Sequence, residues 1–203
     1  MAKFAIFGGS FDPPTYAHKM AGELVYAETD IDQFWYMPCC SHKFNKDSED
    51  SCHRLTMVER MVYQINENYQ GFPFRECTYE IDNKTKGHLI ETMEALEKEN
   101  PKDEFVIVVG SDCANDIKKK WHRGKELIER YPFIVLKRSG YELLASWPYE
   151  KPNQVLEFGV SYSSTTLRKA LSEGDFEHAQ RRLYPAIFNY IKKNKLYSQE
   201  NQT

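Results

Sequence analysis

The run Lys3-Phe4-Ala5-Ile6-Phe7-Gly8-Gly9-Ser10-Phe11-Asp12-Pro13-Pro14-Thr15-Tyr16-Ala17-His18 limits what this chain can fold into more than any other stretch. Phe4 to Phe7 are a short apolar run, the pattern of a parallel strand covered on both faces. Gly8 and Gly9 carry no Cβ, so the backbone there can turn sharply and let a phosphate come close. Pro13 and Pro14 fix φ and exclude helix before Thr15. Ala17, Met20, Ala21, Leu24 and Val25 then recur at helical spacing. His18 therefore falls near a helix N-terminus, where unpaired N–H groups and the macrodipole favour an anion. Strand, glycine turn and helix with an early His read together as a phosphate site with its own hydrogen-bond donor.

The rest of the chain repeats the alternation. Gln33 to Met37 form a second strand, stopped by Pro38. Cys39 to Asp50 are polar and loop-like. Ser51 is suited to cap a helix whose apolar face is Leu55, Val58, Met61, Val62 and Ile65. Phe72 to Ile81 read as an extended segment, and a helix opens at Thr85 or just after, with Leu89, Met93 and Leu96 inward and Pro101 beyond its end. Phe105 to Val109 are the most strand-like run, ending at Gly110. A helix is predicted over Trp121 to Arg130, short strands at Phe133 to Leu136 and Val155 to Val160, and an irregular excursion over Ser139 to Asn153. Ser163 to Glu173 read as a helix closed by Gly174, and two short helices follow, the last holding Ile187, Tyr190 and Ile191. This alternation predicts an α/β fold, a Rossmann-like doubly wound parallel sheet with helices on both faces. Ligands bind such sheets beyond the C-terminal strand ends, so the turns at Gly8 and Gly110 should face one crevice. Residues 1–197 are expected to form a single domain and 198–203 a polar tail.

Composition excludes several classes. The 203 residues suffice for one α/β core. The net charge is -3 with both signs mixed along the chain, and the longest basic run is Lys118-Lys119-Lys120, which argues against nucleic acid as a partner. The five cysteines, Cys39, Cys40, Cys52, Cys77 and Cys113, are odd in number with no C-x-x-C, so a disulfide framework is not expected and a reducing compartment fits. Cys39, Cys40 and His42 with Cys52 and His53 match no common zinc spacing; the thiols are expected to be small buried or half-buried groups. No signal pattern and no membrane-length apolar stretch is present, so a soluble cytoplasmic protein is expected, with no membrane partner and self-association left open.

Two further motifs carry chemistry. Ser163-Ser164-Thr165-Thr166-Leu167-Arg168 sets hydroxyls and free N–H groups at a helix start, a cradle for phosphates, with Arg168 one turn along and able to reach the same oxygens with a planar fork. Taken alone, it is also an ordinary capped helix with a surface Arg. Gly110-Ser111-Asp112 sets a carboxylate at a strand end, which alone is also a common turn.

In this order the motifs resemble the nucleotidyltransferase superfamily, over Phe4 to about Tyr197. Gly8-Gly9-Ser10-Phe11-Asp12-Pro13 with Thr15-x-x-His18 is similar to its Gly-Gly-(Ser/Thr)-Phe-(Asp/Asn)-Pro and (His/Thr)-x-Gly-His signature, with Ala17 in place of Gly. Gly110-Ser111-Asp112 is similar to its Gly-x-Asp, and Ser163 to Arg168 to its Ile-Ser-Ser-Thr-x-(Ile/Leu)-Arg, with Tyr162 in place of Ile. Within the superfamily the chain most resembles the nicotinamide or nicotinic acid mononucleotide adenylyltransferases. Trp121 stands where these enzymes set a Trp against the pyridine ring, a contact suited to stacking and cation–π attraction. Leu136-Lys137-Arg138-x-Gly140-Tyr141 and the ending Tyr184-Pro185-Ala186-Ile187…Tyr190-Ile191…Leu196-Tyr197 also match. Where the bacterial enzymes carry Ser-Tyr-Thr, this chain reads Gly87-His88-Leu89, with Thr92 matching further in.

The resemblance implies that Gly8, Gly9, Ser10, Phe11, Thr15, His18, Gly110, Asp112, Ser163, Ser164, Thr165 and Arg168 bind ATP. It implies that Ser10, Phe11, Lys43, Thr92, Trp121 and Arg138 bind the mononucleotide. His18, Lys43 and Arg168 would be catalytic, Arg54 being either a second loop cation or an ordinary surface one. Magnesium is expected to arrive on ATP or leave on pyrophosphate, with no metal ligands from the protein. ATP and a pyridine mononucleotide would be the partners, either acid or amide. Other adenylyl or cytidylyl transfer to small acceptors such as phosphopantetheine stays open, as does a nucleotide-binding module without turnover. A dinucleotide-dependent oxidoreductase is poorly supported, since no G-x-G-x-x-G follows the first strand.

Overall fold

The computed structural model describes residues 1–40, 48–144, 147, 153–160 and 163–198. Its strands are β1 (Lys3–Gly9), β2 (Gln33–Pro38), β3 (Phe74–Glu76), β4 (Glu104–Gly110), β5 (Phe133–Arg138) and β6 (Gln154–Phe158). They pair in the order β3-β2-β1-β4-β5-β6, every pairing parallel. This is the doubly wound sheet the alternation predicts. The helices are α1 (Tyr16–Glu28), α2 (Ser51–Asn66), α3 (Tyr79–Asp82), α4 (Leu89–Glu99), α5 (Ser111–Ala114), α6 (Ile117–Lys120), α7 (Gly124–Arg130), α8 (Ser164–Ser172), α9 (Phe176–Gln180) and α10 (Pro185–Lys193).

Strand periodicity divides the core in two. Successive side chains of a strand point to opposite faces. Ala5, Val106, Val108, Ile134 and Leu136 join one cluster with Val25, Met61, Ile65, Leu171, Ile187 and Ile191 from α1, α2, α8 and α10. Phe4, Ile6, Phe105, Ile107, Val109, Phe133 and Val135 join the other with Ile90, Met93, Leu96, Ile117 and Leu127 from α4, α6 and α7. Both faces are thus covered, which is why the central strands read as unbroken apolar runs rather than alternating ones.

Several element ends differ from the sequence expectation. Asp50, not Ser51, caps α2, its carboxylate accepting from the Cys52 N–H at 2.8 Å. The extended segment over Phe72 to Ile81 is a strand only at Phe74–Glu76, and Tyr79–Asp82 coil into a helical turn that buries Glu80. No unbroken helix runs from Trp121: α6 stops there in extended backbone, and Arg123 takes a left-handed φ of 51° before α7 begins at Gly124. Gly124 packs on the Ile117 carbonyl where any Cβ would overlap it, so α7 can start this close to α6 only with glycine at that position. Cys52 and Cys113 are exposed rather than buried or half-buried.

The end of α8 is as read. Gly174 takes φ 79°, its N–H donates to Leu171 O at 3.2 Å, and Asp175 N–H donates to Ala170 O at 2.8 Å, a Schellman closure.

The register sets the crevice. Phe7 pairs with Val108 and Gly110 with Leu136, so β1, β4 and β5 end close together. The chain leaves β1 toward β2 on one side and β4 toward β5 on the other. Gly8-Gly9 and Gly110, expected as turns, are instead the last residues of β1 and β4, still paired in the ladder, and the loops that leave them flank this switch point.

Candidate active site

The β1–α1 loop is built around its aromatic and imidazole rings. Phe11, buried and at a left-handed φ of 48°, turns its ring under Gly9; a Cβ on Gly9 would meet that ring at 3.3 Å. His18 packs on Phe11 and Phe7, with ring centroids at 5.0 and 6.2 Å. The backbone N–H of Thr15 donates to His18 Nδ1 at 2.9 Å, and Thr15 Oγ1 lies 3.0 Å from the same nitrogen. An amide N–H can only donate, so Nδ1 is unprotonated and the proton of the neutral ring sits on Nε2. Burial, and then the Arg138 charge, push the ring pKa down from 6.5 to about 4. At neutral pH His18 is therefore an uncharged Nε2–H donor.

A consequence for stability follows. The unfolded chain takes this proton near 6.5 and the folded chain only near 4, so the unfolded state binds more protons between them. His18 therefore lowers stability as pH falls through that window and leaves it unaffected above. In a carbon- and nitrogen-detected titration, the His18 ring should show the Nε2–H tautomer at pH 7 and a midpoint near 4. A midpoint near 6.5, or a proton on Nδ1, would contradict this geometry.

Helix α8 docks on that same loop. Ser163 caps it, accepting from Thr166 N–H at 3.3 Å, and Ser164 Oγ donates to Pro13 O at 2.9 Å. Arg168 donates to Asp12 O at 2.8 Å and to Thr165 Oγ1 at 3.4 Å, and lies 3.7 Å from Asp12 Oδ2. The three-residue stretch from Asp12 to Pro14 thus ties the guanidinium of α8 to the loop that fixes His18. Asp12 itself is fully buried, and its Oδ1 accepts from Tyr197 O–H at 2.7 Å.

On the other side of the switch point, Asp112 and Arg138 pair at 3.1 Å, and Arg138 N–H donates to Ser111 Oγ at 3.1 Å. The resemblance gives these two residues to opposite halves of the ligand, yet here each neutralises the other. A Cβ on Gly110 would overlap Asp112 Oδ1. Trp121 is half-buried at the end of α6, against the core beneath α4 and α7. Thr92 is buried, and its hydroxyl donates to the buried Glu80 at 3.1 Å. Burial pushes the Glu80 carboxyl up, and the bond from Thr92 pulls it back. Ser10 is half-buried. Lys43 and Tyr162 lie outside the described residues.

Arg54 is the residue the sequence reading placed least well. It is no surface cation: it is 1% exposed. Its donors go to Glu49 O at 3.0 Å, Ser10 O at 2.8 Å, Cys39 O at 2.7 Å, Cys40 O at 3.2 Å and Cys39 Sγ at 3.9 Å. One side chain thereby fixes the carbonyl after the glycine turn and both residues that follow β2. The signal was present, since Arg54 falls in step with Val58, Met61 and Ile65 on the buried stripe of α2.

A family profile described as cytidylyltransferase-like matches residues 6–170. The nicotinate-nucleotide adenylyltransferase of Bacillus subtilis is 31% identical over 204 residues, covering 97% of this chain and 99% of that protein. A Salinibacter ruber protein named "Probable nicotinate-nucleotide adenylyltransferase" is 37% identical over 138 residues, 66% of this chain and 67% of that one. Among solved structures, a Plasmodium falciparum nicotinic acid mononucleotide adenylyltransferase complexed with NaAD superposes with a TM-score of 0.76 at 22% identity, covering 97% of this chain and 98% of that one. At that identity the superposition speaks for the fold.

Proposed function

The chain belongs to the cytidylyltransferase-like family, within its nicotinate-nucleotide adenylyltransferases, and from that premise we propose that it joins ATP to nicotinic acid mononucleotide, giving the dinucleotide NaAD and pyrophosphate. The observation that carries this reading is the docking of α8 on the β1–α1 loop, with Arg168 bonded to Asp12 and His18 fixed at Thr15.

A phosphate oxygen of the mononucleotide attacks the α-phosphorus of ATP in line; the bond from that phosphorus to the β-bridging oxygen breaks and pyrophosphate leaves. The nucleophile is already an oxyanion, so no general base is required, and catalysis is positioning with charge neutralisation. The neutral His18 donates its Nε2–H to an oxygen of the α-phosphate as charge develops. Arg168 and Lys43 hold the β- and γ-phosphates, and the glycines at the ends of β1 and β4, Gly8-Gly9 and Gly110, let the backbone approach. Magnesium enters with ATP as part of the substrate; Asp12 and Asp112 are engaged by Tyr197 and Arg138 rather than set aside for a metal. Arg138 and Trp121 serve the mononucleotide half; Thr92, buried on Glu80, holds the segment beside it rather than touching the ligand. The enzyme works in the cytoplasm on these two nucleotides.

Pyrophosphate release measured across ATP and CTP, each with nicotinic acid mononucleotide, the nicotinamide analogue and phosphopantetheine, tests the reading. ATP with nicotinic acid mononucleotide should be fastest; a faster reaction with CTP or phosphopantetheine, or no release from any pair, overturns it. Trp121→Ala should raise KM for the mononucleotide more than KM for ATP. Equal rises for both would make Trp121 a packing residue only.

A further inference from the structure

Three side chains given no role above converge beside Trp121, in the two segments that the resemblance sets around the pyridine. His88 stands at the cap of α4, Glu91 lies in its first turn, and His122 follows Trp121 in the turn before α7. His88 Nδ1 is 3.2 Å from Glu91 Oε1, and His122 Nε2 is 3.3 Å from that same oxygen. The two imidazoles stack with centroids 4.1 Å apart and planes 17° from parallel. One ligand atom from each residue lies within 4.8 Å of the others.

His88 Nδ1 and Glu91 Oε1 are at hydrogen-bond distance without metal. Both nitrogen-to-oxygen separations also match the edge of a coordination tetrahedron, about 3.3 Å when metal–nitrogen and metal–oxygen bonds are near 2.0–2.1 Å. Two imidazoles and one carboxylate are also the donor set of three-ligand zinc sites that keep a fourth position open. Side-chain exposure leaves room for adjustment: Glu91 is 52% and His122 44% exposed, while His88 at 17% is the anchored member. Each ring has to turn about its Cβ–Cγ bond so that its nitrogen lone pair points at a shared centre.

We propose that His88, Glu91 and His122 bind one divalent transition-metal ion of the zinc class, with the remaining position open to water. Bound metal ties the start of α4 to the Trp121–Gly124 turn, two segments more than thirty residues apart in sequence. The site stands whether or not the adenylyl-transfer reading does, because its test does not involve turnover.

The test is a calorimetric titration of the metal-stripped full chain with zinc, paired with the visible spectrum of the cobalt form. One zinc per chain is expected. Cobalt should show four-coordinate d–d bands without the thiolate charge-transfer band that cysteine ligation would add. Glu91→Gln and His122→Ala should each weaken zinc binding by about 10-fold or more, and His53→Ala should leave it unchanged. Zinc should raise the unfolding midpoint of the parent chain and not that of His122→Ala. Excess magnesium, which prefers oxygen ligands, should not compete. The proposal is overturned if the two site variants bind zinc as the parent does. It is equally overturned by a thiolate band, by displacement with magnesium, or by no zinc uptake at all.

Discussion

His18→Ala should lower kcat by about 10²- to 10³-fold while the protein stays folded. The size comes from removing one preorganised donor aimed at charge that develops in the transition state, the role proposed for Nε2–H. The fold should survive because the residue keeps some exposure and Thr15 loses a single hydrogen bond at its N–H. KM for ATP should change far less than kcat, since a donor that strengthens in the transition state contributes little to the ground state. Turnover within a few fold of the parent would remove His18 from the chemistry.

Arg54→Ala should destabilise the protein by at least about 3 kcal/mol, with turnover falling alongside. The substitution leaves the carbonyls of Ser10, Cys39, Cys40 and Glu49 without the donors they now receive, and opens a void in the buried stripe of α2. Each buried acceptor left unpaired costs about 1–3 kcal/mol, less where water enters. Arg54→Lys should recover only part of the loss, because a compact ammonium with three donors cannot span acceptors arranged for a planar fork. Denaturant unfolding checks both variants; a loss under about 1 kcal/mol for Arg54→Ala would show that the loop holds its shape without this side chain.

Where one local rule governed, the sequence was readable. The strand runs at Phe4 and Phe105 and the closure at Gly174 depend on near neighbours and fall where expected, whereas Gly8 and Gly9, read as a turn, are the last residues of β1 and the chain turns after them, at Phe11. The parallel sheet with helices on both faces followed from alternation; its strand order came only with the structure. What escaped was set by tertiary contact. The break after Trp121 goes with the left-handed Arg123 and with the close approach of Gly124 to the Ile117 carbonyl, which no helical periodicity encodes. The coiling of Tyr79–Asp82 goes with the burial of Glu80. Of the site, the three motifs and their meeting in one crevice were expected, but the contacts that lock them were not: Arg168 reaches Asp12 across 156 positions, and Tyr197 reaches it across 185. Arg54 was hidden by its charge, since a cation on an apolar stripe reads as a surface group until the carbonyls around it are seen.

The central claim is that the α-phosphate of ATP moves, with its adenosine, onto the mononucleotide. ATP radiolabelled at that phosphate, incubated with the purified chain, magnesium and nicotinic acid mononucleotide, follows the event directly. The account predicts that the label passes into NaAD in step with an equal amount of unlabelled pyrophosphate, and that His18→Ala slows both together. Label recovered only in ATP, ADP or AMP would contradict it.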